Sequence, residues 1–382
     1  MRIAMIGSRG VPARYGGVET AVQELSARLA ARGHDVTVYC RAEDYPERPD
    51  SVRGIRCRYI RTPGGRMSGA LVHAALASLD AVPRRYDVVH YHAMGPTLFS
   101  PLARAGGHAV VVTVQGRDDQ RAKWGPAARR LMRLAAWCTA RVPNATIVVS
   151  QDLQTDFRES FGRETTYLPN GISPVADPEW DLEQQHAAVR RLGLEPGRYL
   201  LNVGRLVPEK NVDVLLRAFA AVPGGPADIA LAVAGDSSHT DDFVQGLTQQ
   251  AERDPRVHLL GPVYGPDIDA LFRHALAFVQ ASALEGLPLV LLEACAHGLP
   301  VVVSDIGPHL EVTAGLPGSL VFPVGDAVRL TARLRELIAD AAAMRGAASI
   351  LQADVLRRYD WESITDRTLE LYGSLSASPS PP

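Results

Sequence analysis

The chain reads as an α/β protein of two doubly wound, parallel-sheet domains in tandem, and three observations predict it. Short apolar runs such as "YDVVHYH" and "AVVVTVQ" suit strands buried on both faces of a parallel sheet. Helical patterns separate these runs, as parallel crossovers require. After "YLPNGISP", where Pro169, Asn170, Gly171 and Pro174 punctuate the chain like a linker, the same alternation starts again. The 382 residues suffice for about two cores.

The first domain, residues 1–171, opens with "RIAMIGS" as a strand and a helix from about Val18 to Ala31. Strands "DVTVYC" and "IRCRYI" follow, then a helix near Gly69 to Leu79, "YDVVHYH", a helix near Thr97 to Arg104, "AVVVTVQ" and "TIVVS". In the second domain, residues 172–358, the strands are "YLLNVGR", "IALAVAG", "VHLLG", "LAFVQAS", "PVVVSD" and "SLVFP", with helices between them. Residues 359–375 form one amphipathic helix that offers Trp361, Ile364, Leu369 and Tyr372 for packing, and residues 376–382 are expected to be disordered. Two such domains predict a cleft with ligands at the carboxyl ends of the strands.

Composition removes several classes of function. A hydrophobic content of 46% with 21% charged residues excludes a disordered chain. No uncharged apolar run reaches the roughly 20 residues that span a bilayer. "MRIAMIGSRG" ends in Gly-Ser-Arg-Gly, which reads as a strand rather than a signal peptide, so a cytoplasmic location is expected. Cys40, Cys57, Cys138 and Cys295 lack metal or redox spacing and fit reduced thiols. The net charge of −2 hides an asymmetry: residues 1–170 carry 24 Lys+Arg against 15 Asp+Glu, and the remainder 16 against 27. A basic half suits an anionic partner, either a phosphorylated acceptor or an acidic membrane surface. The basic residues are not interleaved with an aromatic binding motif and no recognised nucleic-acid module appears, which argues against nucleic acid as a partner. Residues 117–141 hold seven basic and two acidic residues with Trp124, Leu131, Met132, Leu134 and Trp137. This segment is either a core-packed helix with a solvated basic face or a peripheral contact with the inner face of a membrane.

The densest chemistry lies in the second domain. Glu285 and Glu293 enclose "GLPLVLL" and lead into "EACAHGLPVVVSD", a layout of loop, helix and buried strand. Pro288 fits the first helical position, which puts Glu285 in the preceding loop and Glu293 on the second turn. The helix opening between them attracts a phosphate through free N–H groups and the dipole. One carboxylate can hold a ribose diol, and the other lies nearer whatever the diphosphate carries. After "YLLNVGR", Gly204 permits close backbone approach, Arg205 offers a fork of donors and Lys210 a compact charge, just before a helix starting near Asn211. Gly235 and Asp236 end another strand at the same rim, and Gly261 and Val263 can line a base-binding slot with backbone groups. Asp267 and Asp269 form a DxD string at a helix start, where aspartates cap, so no metal is implied. The glycines around Gly7 and Gly10 do not complete a dinucleotide fingerprint, which argues against an NAD enzyme. In the first domain Gly16 and Gly17 give a close-approach turn, Glu19 sits in the first turn of a helix, and Arg9 and Arg14 are candidate acceptor or phosphate contacts.

"NVGRLVPEKN", "VAGD", "HLLGPV", "EGLPLVLLEACAHGLPVVVSD" and "VFPVGD", in this order, resemble the C-terminal domain of the family 4 retaining glycosyltransferases, which have the GT-B fold of two Rossmann-like domains. "MRIAMIGSRGVPARYGGVETAVQELSARLAARGHDVTVYCR" and "YHAMGP" are similar to a bacterial subgroup that includes rhamnosyltransferases of surface-polysaccharide assembly. The resemblance implies that Arg205 and Lys210 bind a donor diphosphate, Glu293 the nucleotide ribose and Glu285 the transferred sugar. The backbone of Gly286, Leu287, Pro288, Leu289 and Val290 would cap the phosphates, Gly16 and Gly17 would meet the donor phosphate, and the final helix would cross back onto the first domain. The implied donor is a nucleoside-diphosphate sugar, without a metal or resident cofactor, and the acceptor a glycan or a lipid-linked sugar. One departure stands out, because relatives present His after "TV" in "VVVTVQGRDD" and this chain has Gln115. Glutamine donates and accepts hydrogen bonds but takes no proton. His92, with His90, is the nearest other imidazole and is either catalytic or a packed strand-end residue; Asp118 and Asp119 are candidates for orienting an acceptor. Retaining transfer is pictured as same-face attack in which the departing phosphate oxygen accepts the proton, so a missing histidine is compatible with chemistry. The alternatives are a sugar-nucleotide-binding protein that has lost catalysis, and an epimerase or hydrolase on the same architecture.

Overall fold

The computed structural model of the chain describes residues 1–14, 16–63, 69–117, 125–224, 229–236 and 241–376. The contacts divide it into two compact units, Met1–Gly171 together with the chain from Tyr359 onward, and Ile172–Arg358.

In the first unit, β1 (Arg2–Ile6), α1 (Gly17–Ala31), β2 (Asp35–Arg41), β3 (Ser51–Val52), β4 (Ile55–Ile60), α2 (Gly69–Ala81) and β5 (Val88–His92) are followed by α3 (Ser100–Ala105), β6 (Ala109–Val114), α4 (Pro126–Arg141), β7 (Ala145–Val148), α5 (Gln151–Phe161) and β8 (Thr166–Tyr167). The strands form one sheet in the order β3-β4-β2-β1-β5-β6-β7-β8, parallel except for the short β3–β4 pairing. Alternate residues of β1 show why its sequence is a continuous apolar run. Ile3 and Met5 enter a core with Val22, Leu25 and Leu29 of α1, whereas Ala4 and Ile6 enter one with Ala74 and Ala77 of α2. Both faces are buried, so no polar alternation survives. The helix expected near Thr97–Arg104 is instead a 3-10 turn over Gly95–Phe99 leading into α3. Pro101 lacks the N–H that a continuous helical ladder would need there.

The second unit contains α6 (Leu182–Arg191), β9 (Tyr199–Val203), α7 (Val212–Ala220), β10 (Ala230–Ala234), α8 (Asp241–Ala251), β11 (Val257–Gly261), α9 (Pro266–His274) and β12 (Ala277–Gln280). It continues with α10 (Leu289–Ala296), β13 (Val301–Ser304), α11 (Gly307–Thr313), β14 (Ser319–Phe322), α12 (Ala327–Ala339) and α13 (Ala341–Arg358). Its sheet runs β11-β10-β9-β12-β13-β14, parallel throughout. Leu200, Val233, Val279 and Val302 of the strands share a core with Leu215 and Phe219 of α7 and Leu330 and Leu334 of α12. Asp267 and Asp269 do not cap α9. Gly265 holds the capping position without a side-chain bond, and the aspartates, already inside the helix, accept instead from Arg191 at 3.0 Å and from Arg273 at 2.6 Å.

The chain then returns to the first unit as α14 (Trp361–Ser376). Trp361, Ile364 and Tyr372 are buried in the α1-side core, with Leu369 packed against it. Residues 377–382 of the expected tail lie outside the described residues. No described helix is long and apolar enough to cross a membrane.

Candidate functional site

Strand order locates the candidate site of the second unit. From β9 the chain lays down β10 and β11 on one side, then crosses to β12, β13 and β14 on the other. The strand order therefore reverses between β9 and β12, and a doubly wound sheet binds ligands at the carboxyl ends of the strands at such a point. Asn202 of β9 donates to the Val279 carbonyl of β12 at 2.8 Å, and the Ala283 N–H donates to Glu209 O at 2.8 Å. The loops that leave the two strands are thereby joined. The first is turned by a 3-10 segment, Pro208–Lys210, and by Asn211 at φ 51°, which is the N-cap of α7, so that helix starts at Val212.

Lys210 and Glu285 meet at these strand ends. The ammonium rests on Glu285 Oε1, and Gln280 Nε2 at 2.7 Å and Ser282 Oγ at 2.8 Å donate to the same oxygen. The side chains are only 17% and 11% exposed. Burial by itself would raise the Glu285 pKa, but the Lys210 charge and these donors outweigh it and hold the carboxyl below its ordinary range. Beside them, His309 gives Nδ1 to Ser304 Oγ at 2.9 Å. Burial pushes this imidazole down to about 4 and keeps it neutral.

Glu293 lies in the opposite state. Among the described residues its carboxylate has no hydrogen-bond partner, and desolvation pushes it up to about 7. Between the two glutamates, α10 begins at Leu289, with Pro288 as its N-cap at φ −78° and ψ 95°. The proline thus sits one position earlier than expected, because its extended ψ keeps it out of the helix. No side chain caps this end, and among the described residues the N–H groups of Gly286, Leu287, Leu289 and Val290 meet no acceptor. Uncapped donors at a helix opening form an anion site.

Gly235 is explained by contact. A Cβ built there would stand 1.7 Å from the Gly204 carbonyl oxygen, while Gly204 N–H donates to Ala234 O at 2.9 Å and Gly235 N–H to Gly261 O at 2.8 Å. The ends of β9, β10 and β11 therefore close on one another as bare backbone. Gly204 itself leaves room beside the Lys210 stem. Arg205 and Asp236 are exposed at this rim, and Val263 is half-buried just beyond β11. Sequence reasoning missed Gln280, Ser282 and His309; a glutamine ending the apolar run "AFVQ" was the available signal.

The residues singled out in the first unit are placed differently. Gly16, exposed and extended, is the N-cap of α1, and Gly17 is its first residue. Glu19 accepts the Arg9 N–H at 3.3 Å, and Arg14 pairs with Glu47 at 2.8 Å. Gln115 exchanges two hydrogen bonds with Asn170, donating to Oδ1 at 3.3 Å and accepting from Nδ2 at 2.7 Å. Its amide is thus fixed at the end of β6. The catalytic assignment of His92 is corrected. The residue is 2% exposed, its Nε2 faces Met5 Sδ at 3.4 Å, and burial pushes it down to about 3. A buried ring that burial keeps neutral and that faces a thioether is poorly placed to carry a proton near neutral pH. His90 is likewise internal, with Nδ1 at 2.6 Å from Tyr372 Oη and Nε2 at 2.7 Å from Thr113 Oγ1. Asp118 and Asp119 lie outside the described residues, as does Trp124. Among the described residues no cluster of three or more His, Cys, Asp or Glu is arranged to hold a metal ion.

A model described as Glycosyltransferase Family 4 matches residues 15–175, and one described as Glycosyl transferases group 1 matches residues 186–349. A glycogen synthase of Mycobacterium tuberculosis is 28% identical over 97% of this chain and 94% of its own length. A GDP-mannose-dependent alpha-(1-6)-phosphatidylinositol monomannoside mannosyltransferase of Mycolicibacterium smegmatis is 28% identical over 94% and 95%. Among solved structures, Anabaena Alr3699/HepE in complex with UDP and glucose superposes with a TM-score of 0.80 at 22% identity, over 98% of this chain and all of its own. Sucrose-phosphate synthase of Thermosynechococcus elongatus gives 0.82 at 23% identity, over 99% of this chain and 100% of its own.

Proposed function

We propose that this chain, which belongs to the family 4 glycosyltransferases of GT-B type, moves a sugar from a nucleoside-diphosphate donor to a glycan or lipid-linked acceptor with retention of anomeric configuration. The observation that carries the reading is the asymmetry of the two glutamates around one uncapped helix opening. Glu285 is already ionised by Lys210, whereas among the described residues Glu293 has no hydrogen-bond partner and awaits donors. A ribose diol supplies two hydroxyl donors to Glu293, and the diphosphate takes the N–H groups from Gly286 to Val290. Lys210 then moves its charge from Glu285 to the phosphate, and Glu285 accepts a hydroxyl of the transferred sugar. Arg205 adds charge at the exposed rim, and no metal enters the proposal.

In the transfer step the acceptor oxygen bonds to the anomeric carbon as the bond to the diphosphate breaks. The acceptor proton passes to the departing phosphate oxygen on the same face. Gln115, held by Asn170, orients a hydroxyl and takes no proton. Rhamnose is the sugar implied by the "MRIAMIGSRGVPARYGG" and "YHAMGP" segments, and a lipid-linked acceptor would bring residues 117–141 to the cytoplasmic face of a membrane. The test is a thermal-shift panel of nucleotide sugars followed by an assay for released nucleoside diphosphate. Stabilisation by one donor, lost in Glu293→Ala, with acceptor-dependent release, is the expected result. If no nucleotide sugar stabilises the chain, or Glu293→Ala leaves binding unchanged, the donor site is elsewhere.

The fixed Gln115 amide also favours a second reading, a donor-binding protein without turnover. Binding without release in the native chain, with release gained in Gln115→His, would support it. Release without any acceptor would instead indicate a hydrolase.

A further inference from the structure

The helix α4 is built inside out for a helix on a water-facing surface. Its inner face is small: Ala135, Ala136 and Thr139 are buried, and Thr139 Oγ1 lies 2.6 Å from Thr97 Oγ1 of the 3-10 turn before α3. From Ala128 onward every exposed position is either arginine or a large apolar side chain. Leu131, Leu134 and Trp137, spaced by three, are 38%, 51% and 54% exposed. Arg130 and Arg133 stand among them, and among the described residues neither has a hydrogen bond or ion pair. Residues 125–141 contain no acidic residue. The sequence left open a core-packed helix with a solvated basic face; among the described residues, Met132 is the one of its large apolar side chains that is inside, at 6% exposure.

Water solvates the arginines but not the leucines and the tryptophan, and an acidic protein surface pairs with the arginines but leaves the apolar residues uncovered. A bilayer with anionic headgroups satisfies both, because its phosphates lie a few ångströms above the acyl boundary that half-buried Trp and Leu side chains enter. We propose that the outer face of α4 docks on an anionic lipid bilayer, with Leu134 and Trp137 entering the interface and Arg130 and Arg133 on the headgroup phosphates. This gives a defined face and lipid charge to the membrane contact in the functional reading above, and it rests on that contact, not on sugar transfer.

The test uses the full chain without donor, mixed with vesicles of phosphatidylcholine with or without phosphatidylglycerol and followed by flotation. Binding is expected to the anionic vesicles alone and to fall as salt rises. Affinity should drop about fivefold for each of Arg130→Gln and Arg133→Gln. It should drop about tenfold or more in Leu134→Ser/Trp137→Ser. All four positions are exposed, so unchanged melting midpoints confirm that the variants are folded. Failure of the native chain to bind anionic vesicles overturns the membrane contact altogether. Binding that all variants retain leaves a membrane contact but overturns α4 as its face. Equal binding to neutral vesicles overturns the role of the arginines, and a concentration-dependent dimer abolished by Leu134→Ser/Trp137→Ser reassigns the face to a second copy. Transfer to a soluble acceptor, assayed separately, is unaffected by any of these outcomes.

Discussion

Burial pushes the Glu293 carboxyl up to about 7, so near neutral pH it carries its proton about half the time. The folded value lies above the ordinary 4.5. The folded chain therefore favours the protonated group, an advantage complete below 4.5 and lost as pH rises through about 7. Glu293→Gln removes the ionisation and is predicted to raise the unfolding midpoint by several degrees at about pH 8, with little change at about pH 4. The same variant should bind a nucleotide sugar more weakly, because an amide presents one acceptor oxygen and no charge to the ribose. Thermal melts across this range, with and without donor, check both parts, and equal melting at both pH values would refute the burial argument. Glu285 carries the opposite sign. Its lowered pKa contributes stability above 4.5 that is lost as pH falls. Lys210→Ala leaves this carboxylate with Gln280 and Ser282 as its remaining donors, and should destabilise the second unit by about 2 kcal/mol at neutral pH. That deficit should shrink on acidification, as denaturant titrations at two pH values would show.

At the scale of elements, glycines in the second unit separate close approach from mere tolerance. Gly235→Ala forces a Cβ against the Gly204 carbonyl, so the ends of β9 and β10 must part; a loss of about 3 kcal/mol is expected, with donor binding weakened at the same rim. Gly246, exposed within α8, has nothing within 4 Å of an added Cβ, and Gly246→Ala should stabilise by about 0.5–1 kcal/mol. Urea titration of the pair checks both signs. Elements of this kind were legible in the sequence to the extent that burial is symmetric. "VVHYH" and "AVVVTV" are apolar because both sheet faces are covered, and α10 could be found from Pro288 beside two glutamates. Side-chain partnerships were not legible. Nothing in the spacing of Lys210 and Glu285 fixes which loops a sheet brings together, and His92 is a core residue only because β1 sets Met5 beside it. The inner and outer faces of α4 could not be told apart from sequence either, since its Leu and Trp fit a core as well as a surface.

For the whole molecule, the return of α14 makes the first unit depend on residues that follow the entire second unit in the chain. Trp361 lies so close beneath Gly171 that a Cβ there would stand 2.5 Å from its ring. Arg28 and Arg32 of α1 reach Glu362 at 2.9 and 2.8 Å, and Tyr372 closes the buried chain through His90 to Thr113 on β6. Trp361, Ile364 and Tyr372 are 5%, 4% and 0% exposed. At roughly 2–3 kcal/mol for each buried side chain of this size, the helix supplies on the order of 7 kcal/mol. That is comparable to the entire stability of an ordinary domain. A chain ending at Arg358 keeps all of the second unit and loses this helix. It is predicted to retain exchange protection and donor-induced stabilisation in the second unit, while amides of β5 and β6 lose protection. Tyr372→Phe removes one hydroxyl and should cost about 1–3 kcal/mol, because His90 Nδ1 is left buried without a partner. Hydrogen exchange resolved by peptide distinguishes the two units directly. Uniform loss of protection in both would mean that the second unit cannot fold without the first, whereas full protection of β5 and β6 in the shortened chain would remove α14 from the core.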